Sequence, residues 1–237
     1  MAGDKSEQPT PKRMNEARKK GQVFKSRDLI QSLLFITAAA VLAAGGPTYF
    51  TELSDLMKQF FQPDMMRGDM PMNAMLSRMG FAWSKFLVLS APLLGALVVA
   101  AVAANFVQVK ALFAAEIIKP KFEKLNPLAG FKNIFFSSRT YIELVKNLIK
   151  FGVIFWVLYS SIKGSMRDII PIASMRLDQT AALAGSLISG LLYKVGVVFL
   201  ILGGADYMIQ KKLHMKNMMM SKEEVKQEYK EQEGDPH

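Results

Sequence analysis

The stretch Phe86-Leu87-Val88-Leu89-Ser90-Ala91-Pro92-Leu93-Leu94-Gly95-Ala96-Leu97-Val98-Val99-Ala100-Ala101-Val102-Ala103-Ala104-Asn105-Phe106 carries no charged side chain. A helix of about 20 such residues matches the hydrocarbon thickness of a bilayer, whereas a helix on a soluble core keeps one face polar. Working outward, three further apolar runs of comparable length follow the same pattern: Leu29 to Phe50, Leu144 to Ile162 and Ala181 to Met208. The sequence therefore predicts an all-α membrane protein with four transmembrane helices.

Charge placement supplies the orientation. The segment ahead of the first run contains Lys5, Lys12, Arg13, Arg18, Lys19, Lys20, Lys25 and Arg27, and the segment between the second and third contains Lys110, Lys119, Lys121, Lys124, Lys132 and Arg139. The other two connections hold four and three basic residues. Lysine and arginine near span ends resist translocation, so both termini and the long central loop are placed in the cytoplasm and the spans pair as two hairpins. This topology accounts for most of the net charge of +10. A nucleic-acid partner has no motif to support it and is not expected. The N-terminus is too charged, and its apolar run begins too late, for a cleavable secretory signal.

The organisation expected along the chain is a basic cytoplasmic arm at 1–28, a first hairpin at 29–106, a cytoplasmic loop at 107–141, a second hairpin at 142–208 and a charged cytoplasmic helix at 209–237. In the arm, Pro11 suits the first turn of a helix begun near Thr10, and Gly21 interrupts it. Gly45-Gly46-Pro47 predicts a bend or an end in the first span, because helix propensity falls sharply there. Beyond it, Leu53, Leu56, Met57, Phe60 and Phe61 share one helical face in a Met-rich external segment that packs on its own hairpin or on a partner. In the tail, Ser221 and Glu224 have capping-box spacing, and the Lys222, Lys226 and Lys230 stripe reads first as a solvated helix face.

Three polar positions stand within or at the edge of the apolar runs. Lys194 lies among Leu191, Leu192, Val195 and Val197 and needs a carboxylate, carbonyls or water nearby, since a mid-membrane lysine costs about 2.5–3.5 kcal/mol. Asp206 is expected to reach water at the cytoplasmic end, and Asn105 closes the second run. At the start of the third run, Glu143, Lys146 and Lys150 share a helical face. A local Glu143–Lys146 pair would neutralise that turn and leave Lys150 for headgroups or a partner. Catalytic chemistry finds no constellation, and neither a metal nor another cofactor is expected: the chain has no cysteine and two histidines, too few for a His-rich metal cage. Asn126-Pro127 is followed by Leu128-Ala129 without an activated nucleophile and reads as a turn.

Three sets of residues go further than a class. Lys5-Ser6-Glu7-Gln8-Pro9-Thr10-Pro11-Lys12-Arg13, with Ala17-Arg18-Lys19-Lys20-Gly21-Gln22-Val23 and Lys25-Ser26-Arg27, resembles the opening of the FlhB/SctU family of type III export-gate switch proteins. Ile118-Lys119-Pro120-Lys121 and Leu125-Asn126-Pro127-Leu128-Ala129-Gly130-Phe131-Lys132 resemble its cytoplasmic loop. Met220-Ser221-Lys222-Glu223-Glu224-Val225-Lys226 and Glu231-Gln232-Glu233-Gly234-Asp235-Pro236 resemble its linker.

The resemblance implies a component of the bacterial protein-export apparatus in the inner membrane. Its expected partners are the other membrane subunits of the export gate, cytoplasmic export proteins and the lipid bilayer. It also implies that the loop wraps the gate, which nominates Pro120, Phe122, Leu125, Asn126, Pro127, Leu128, Gly130 and Phe131 as partner-binding residues. The family's C-terminal domain cleaves itself at an Asn-Pro-Thr-His sequence and switches the exported substrate class. A chain stopping at His237 inside the connecting segment is expected to be part of a longer protein, without that cleavage chemistry. The Gly130-Phe131-Lys132 and Gly234-Asp235-Pro236 details look more flagellar than injectisome-like. Two other classes stay open: a four-span solute transporter with Lys194 and Asn105 on its path, and a membrane scaffold recruiting soluble proteins by its charged tail.

Overall fold

The computed structural model describes residues 6–61, 71–110 and 138–233. They form α1 (Pro11–Lys19), α2 (Arg27–Phe60), α3 (Met72–Val109), α4 (Ser138–Ile169), a 3-10 turn (Ile170–Ser174), α5 (Leu177–Asn217) and α6 (Lys222–Glu233). Among the described residues the extended backbone is limited to an isolated antiparallel bridge between Glu7 and Met220. The loop residues Pro120, Phe122, Leu125, Asn126, Pro127, Leu128, Gly130 and Phe131 lie outside the described residues.

The short helices start and stop where their residues dictate. Thr10 caps α1 by accepting the Arg13 N–H at 3.2 Å, and Pro11 occupies a first-turn position that needs no donor. Gly21, at φ 73°, takes the left-handed conformation beyond the helix end. In α6 the capping box is reciprocal: the Ser221 N–H donates to Glu224 at 3.1 Å, and the Glu224 N–H donates to the Ser221 hydroxyl at 3.2 Å.

Where a bend or an end was expected at Gly45-Gly46-Pro47, the helix does not end: α2 continues through it to Phe60. Proline removes one intrahelical donor, a loss that transmembrane helices tolerate when side chains and neighbours take up the freed groups. One turn on, Thr51 donates its hydroxyl back to the Pro47 carbonyl at 3.0 Å. Gly45 makes room for the ring one turn on, since a Cβ there would stand 2.6 Å from Tyr49 Cε2. Leu53, Met57 and Phe61 all project exposed from this continuation.

Among the described residues, three helices are long and apolar enough to cross a membrane: α2, α3 and α5. The run Leu144 to Ile162 falls inside α4, a 32-residue helix more amphipathic than the other three and not among them. Apolar burial is sparse. Among the described residues, buried hydrophobic side chains are Ala17, Ile30, Ala39, Ala104, Val195 and Met220, while α3 exposes Val98, Val99, Val102 and Phe106. So much continuous apolar surface marks contact with lipid or other proteins.

The chain forms two compact units. The first comprises Met1–Ile30, Ala104–Gly152 and Ile201–His237. In it the N-terminal arm is stitched to the tail: Glu7 and Met220 exchange backbone hydrogen bonds at 2.9 and 3.0 Å, Thr10 donates to Glu228 at 2.7 Å, and Lys12 meets Glu231 at 3.2 Å. The hydrogen bond to Glu231 raises the Lys12 pKa, although so exposed a pair adds little stability. The second unit comprises Gln31–Ala103 and Val153–Leu200. There Phe35 and Phe199 meet edge to face with centroids 5.3 Å apart, and Lys85 pairs with Glu52 at 2.7 Å.

Candidate functional site

The best-defined polar arrangement lies in the first unit, and Ser26 is its centre. Ser26 immediately precedes α2, so its side chain can satisfy an unpaired N–H of the first helical turn. Its hydroxyl oxygen accepts the Leu29 N–H at 3.1 Å and donates its hydrogen to Asp206 Oδ2 at 2.8 Å. Its backbone is held as well, with the N–H donating to Gln108 Oε1 at 2.9 Å and the carbonyl accepting from Gln108 Nε2 at 3.3 Å. Ser26 is 0% exposed; every polar atom it buries has a partner, as buried groups require.

The second oxygen of Asp206 accepts from Lys146 Nζ. One turn along α4, Lys150 Nζ pairs with Asp28 and also donates to Asn147 at 3.3 Å. Two lysines spaced four apart present one cationic face, and two carboxylates from different helices neutralise it. Asp206 is 5% exposed, so its expected access to water is corrected: a buried carboxylate persists here because Lys146 and Ser26 replace its hydration. The expected pairing is corrected too. Lys146 turns to Asp206 and Lys150 to Asp28, because partly buried ammonium groups gain more from partly buried carboxylates than from an exposed neighbour such as Glu143.

Around this cluster Arg18 donates to the Val109 carbonyl at 3.2 Å, satisfying a carbonyl at the α3 C-terminus. Phe24 packs edge to face on Tyr207, centroids 5.1 Å apart. The arm before α2 is thereby fixed to the ends of α3 and α5. Chemically the cluster is closed. Its charges are paired, no buried side-chain N or O lacks a partner among the described residues, and no described group of His, Asp and Glu could hold a metal ion. It organises helix ends and offers no nucleophile.

Of the other nominated residues, Asn105 is half-buried in α3 and Glu143 is exposed on α4. Lys194 is exposed on α5, and no described carboxylate pairs with it. Ser26, Asp28 and Gln108 were missed by sequence reasoning. A signal for Asp28 was present: Lys146 and Lys150 needed anions, and the apolar runs have Asp28 and Asp206 at the corresponding ends.

Residues 3–237 match the FlhB HrpN YscU SpaS family model. The chain is 32% identical over 236 residues to Yop proteins translocation protein U of Yersinia pestis, covering 100% of this chain and 66% of that protein. It is 33% identical over 242 residues to flagellar biosynthetic protein FlhB of Bacillus subtilis, covering 100% and 65%. With hypersensitivity response secretion protein HrcU of Ralstonia nicotianae the identity is 30% over 237 residues, covering 100% and 66%. A helical protein with long lipid-suited helices and this match belongs to the FlhB HrpN YscU SpaS family. The chain spans just under two thirds of the length of these relatives.

Proposed function

We propose that the chain is a membrane component of a bacterial type III protein-export apparatus, acting on the export gate, and that its full-length form switches the class of substrate exported. The match over residues 3–237 carries this reading. Identity does not choose between flagellar and injectisome systems, since relatives of the two kinds match at 33% and 32%, and this withdraws the support for a flagellar preference.

In this reading the protein sits in the inner membrane with both termini cytoplasmic, and four helices cross as two hairpins. Two features support α4 as the fourth span. Lys146 and Lys150 are partly buried and paired, whereas Leu148, Phe151, Phe155 and Trp156 are exposed, the reverse of a soluble helix and suited to lipid or a membrane partner. The Glu52–Lys85 pair between α2 and α3 supports reading these two helices as the first hairpin. The loop 107–141 then lies in the cytoplasm against the gate, with Phe122, Leu125, Leu128 and Phe131 as its apolar contacts.

Gene deletion tests the function. Loss of flagellar subunits from the medium assigns the flagellar system, loss of secreted effectors assigns the injectisome, and undiminished export of both rejects the reading. Leu128→Asp with Phe131→Asp should leave the protein in the membrane and reduce copurification with gate subunits. Wild-type copurification would remove the loop from the interface.

A further inference from the structure

Helix α5 continues past the end of its apolar run at Met208 as far as Asn217. This extension and the arm residues Gln8 and Pro9 line a cavity of about 750 Å³, within the range of roughly 300–1,000 Å³ common for ligand sites. Met208, Met215 and Met219 line its apolar side, and Lys211, Lys212 and Lys216 also border it. The three lysines are exposed and form no ion pair with a described residue. An apolar groove thus begins where the apolar run ends, with unneutralised cations along it.

We propose that this groove seats an anionic phospholipid of the cytoplasmic leaflet, an acyl chain against the methionines and the phosphate among the lysines. Flexible thioether side chains adapt to an irregular apolar guest. Lysine ammonium groups act as point charges for phosphate, and basic pockets at the cytoplasmic ends of membrane helices suit anionic headgroups. A zwitterionic lipid would bring its own cation toward three lysines, so the charge selects a net negative headgroup. The proposal rests on α5 crossing the bilayer with its C-terminal end cytoplasmic, and not on the export function.

The test uses the full chain, purified in detergent and titrated with phosphatidylglycerol or phosphatidylcholine, with bound lipid counted by native mass spectrometry. Phosphatidylglycerol should be held at least tenfold more tightly. Lys211→Gln/Lys212→Gln/Lys216→Gln should abolish that preference, while Lys222→Gln/Lys226→Gln/Lys230→Gln, which removes equal charge from α6, should keep it. Met215→Ser/Met219→Ser should weaken retention of both lipids. These exposed lysines are not core residues, and circular dichroism should show wild-type helicity in both lysine variants.

An unchanged preference in the first triple variant, or equal loss in both, overturns the proposal. So does a first triple variant that keeps its lipid preference and loses a gate subunit, which would assign the groove to a protein. Release of the wild-type chain from membranes by alkaline carbonate would overturn the bilayer-crossing reading and the lipid site together. A chain that stays in the membrane with no lipid preference overturns the lipid site alone.

Discussion

Ser26 and Asp206 stand 180 residues apart in sequence and share a hydrogen bond of 2.8 Å. The serine oxygen that donates to the carboxylate is the same one that caps α2, so helix initiation and hydrogen bonding of a buried carboxylate depend on one atom. Lys146 completes the arrangement from α4. The polar cluster therefore fixes the arm before α2 relative to α4 and α5 within the first unit.

Lys146→Met should destabilise the protein strongly, because it leaves the Asp206 carboxylate buried with a hydroxyl as its main partner. Breaking one side of a buried pair typically costs about 3–5 kcal/mol, with the low end expected here because Lys146 is half-buried. Lys146→Met/Asp206→Leu should recover most of the loss, since it removes both charges. Denaturant unfolding in detergent across the four-member cycle measures the coupling. Additive single effects would show that the pair carries no specific energy.

Local signals in this chain were legible and tertiary ones were not. Thr10, Pro11 and Gly21 gave the bounds of α1, and Ser221 with Glu224 gave the start of α6, because a cap is satisfied within a few residues. The Pro47 break failed because a single proline's lost hydrogen bond is tolerated inside a long apolar helix, and Gly45 leaves room for the Tyr49 ring one turn on. The partner of Lys146 failed because Asp206 lies 60 residues away, where spacing rules on a single helix have no reach. The tail's contacts with the arm were illegible for the same reason: Glu228 and Glu231 meet Thr10 and Lys12 from the opposite end of the chain.

That junction of arm and tail can be trapped. Glu7 and Met220 exchange both backbone hydrogen bonds, a pairing that sets Cα atoms about 5.5 Å apart, inside the usual range for a disulfide. The chain has no cysteine, so Glu7→Cys/Met220→Cys introduces an unambiguous pair. Mild oxidation should give an intramolecular crosslink in most molecules, seen as two fragments held together after proteolysis of an intervening loop. Free thiols persisting after oxidation would contradict the bridge.

Adjacent glycines in α2 should respond differently to alanine. At Gly46 a Cβ meets nothing within 4 Å, so Gly46→Ala should stabilise the helix by up to about 1 kcal/mol. At Gly45 the new methyl would displace the Tyr49 ring, and Gly45→Ala should gain less or lose stability. Gly45→Ala/Tyr49→Ala should remove the conflict. Equal effects of the two single changes, read from thermal unfolding, would refute the close approach.

Lys194 presents the sharpest functional test, because it is exposed within a helix apolar enough to cross a membrane. An ammonium near the bilayer centre costs about 2.5–3.5 kcal/mol, and no described carboxylate offsets it. Compensation must come from snorkelling to the headgroups or from a polar group on a neighbouring subunit, and an assembly role requires the second. Lys194→Met should therefore insert at least as well as the wild type, since the change removes a charge and keeps the length of an apolar stem. In cells it should lower copurification with gate subunits and reduce export several-fold, with Lys194→Arg retaining more of both than Lys194→Met. Membrane fractionation, affinity capture and secretion assays on the same strains separate the steps. If association and export stay at wild-type levels, the lysine snorkels and carries no contact in the assembly.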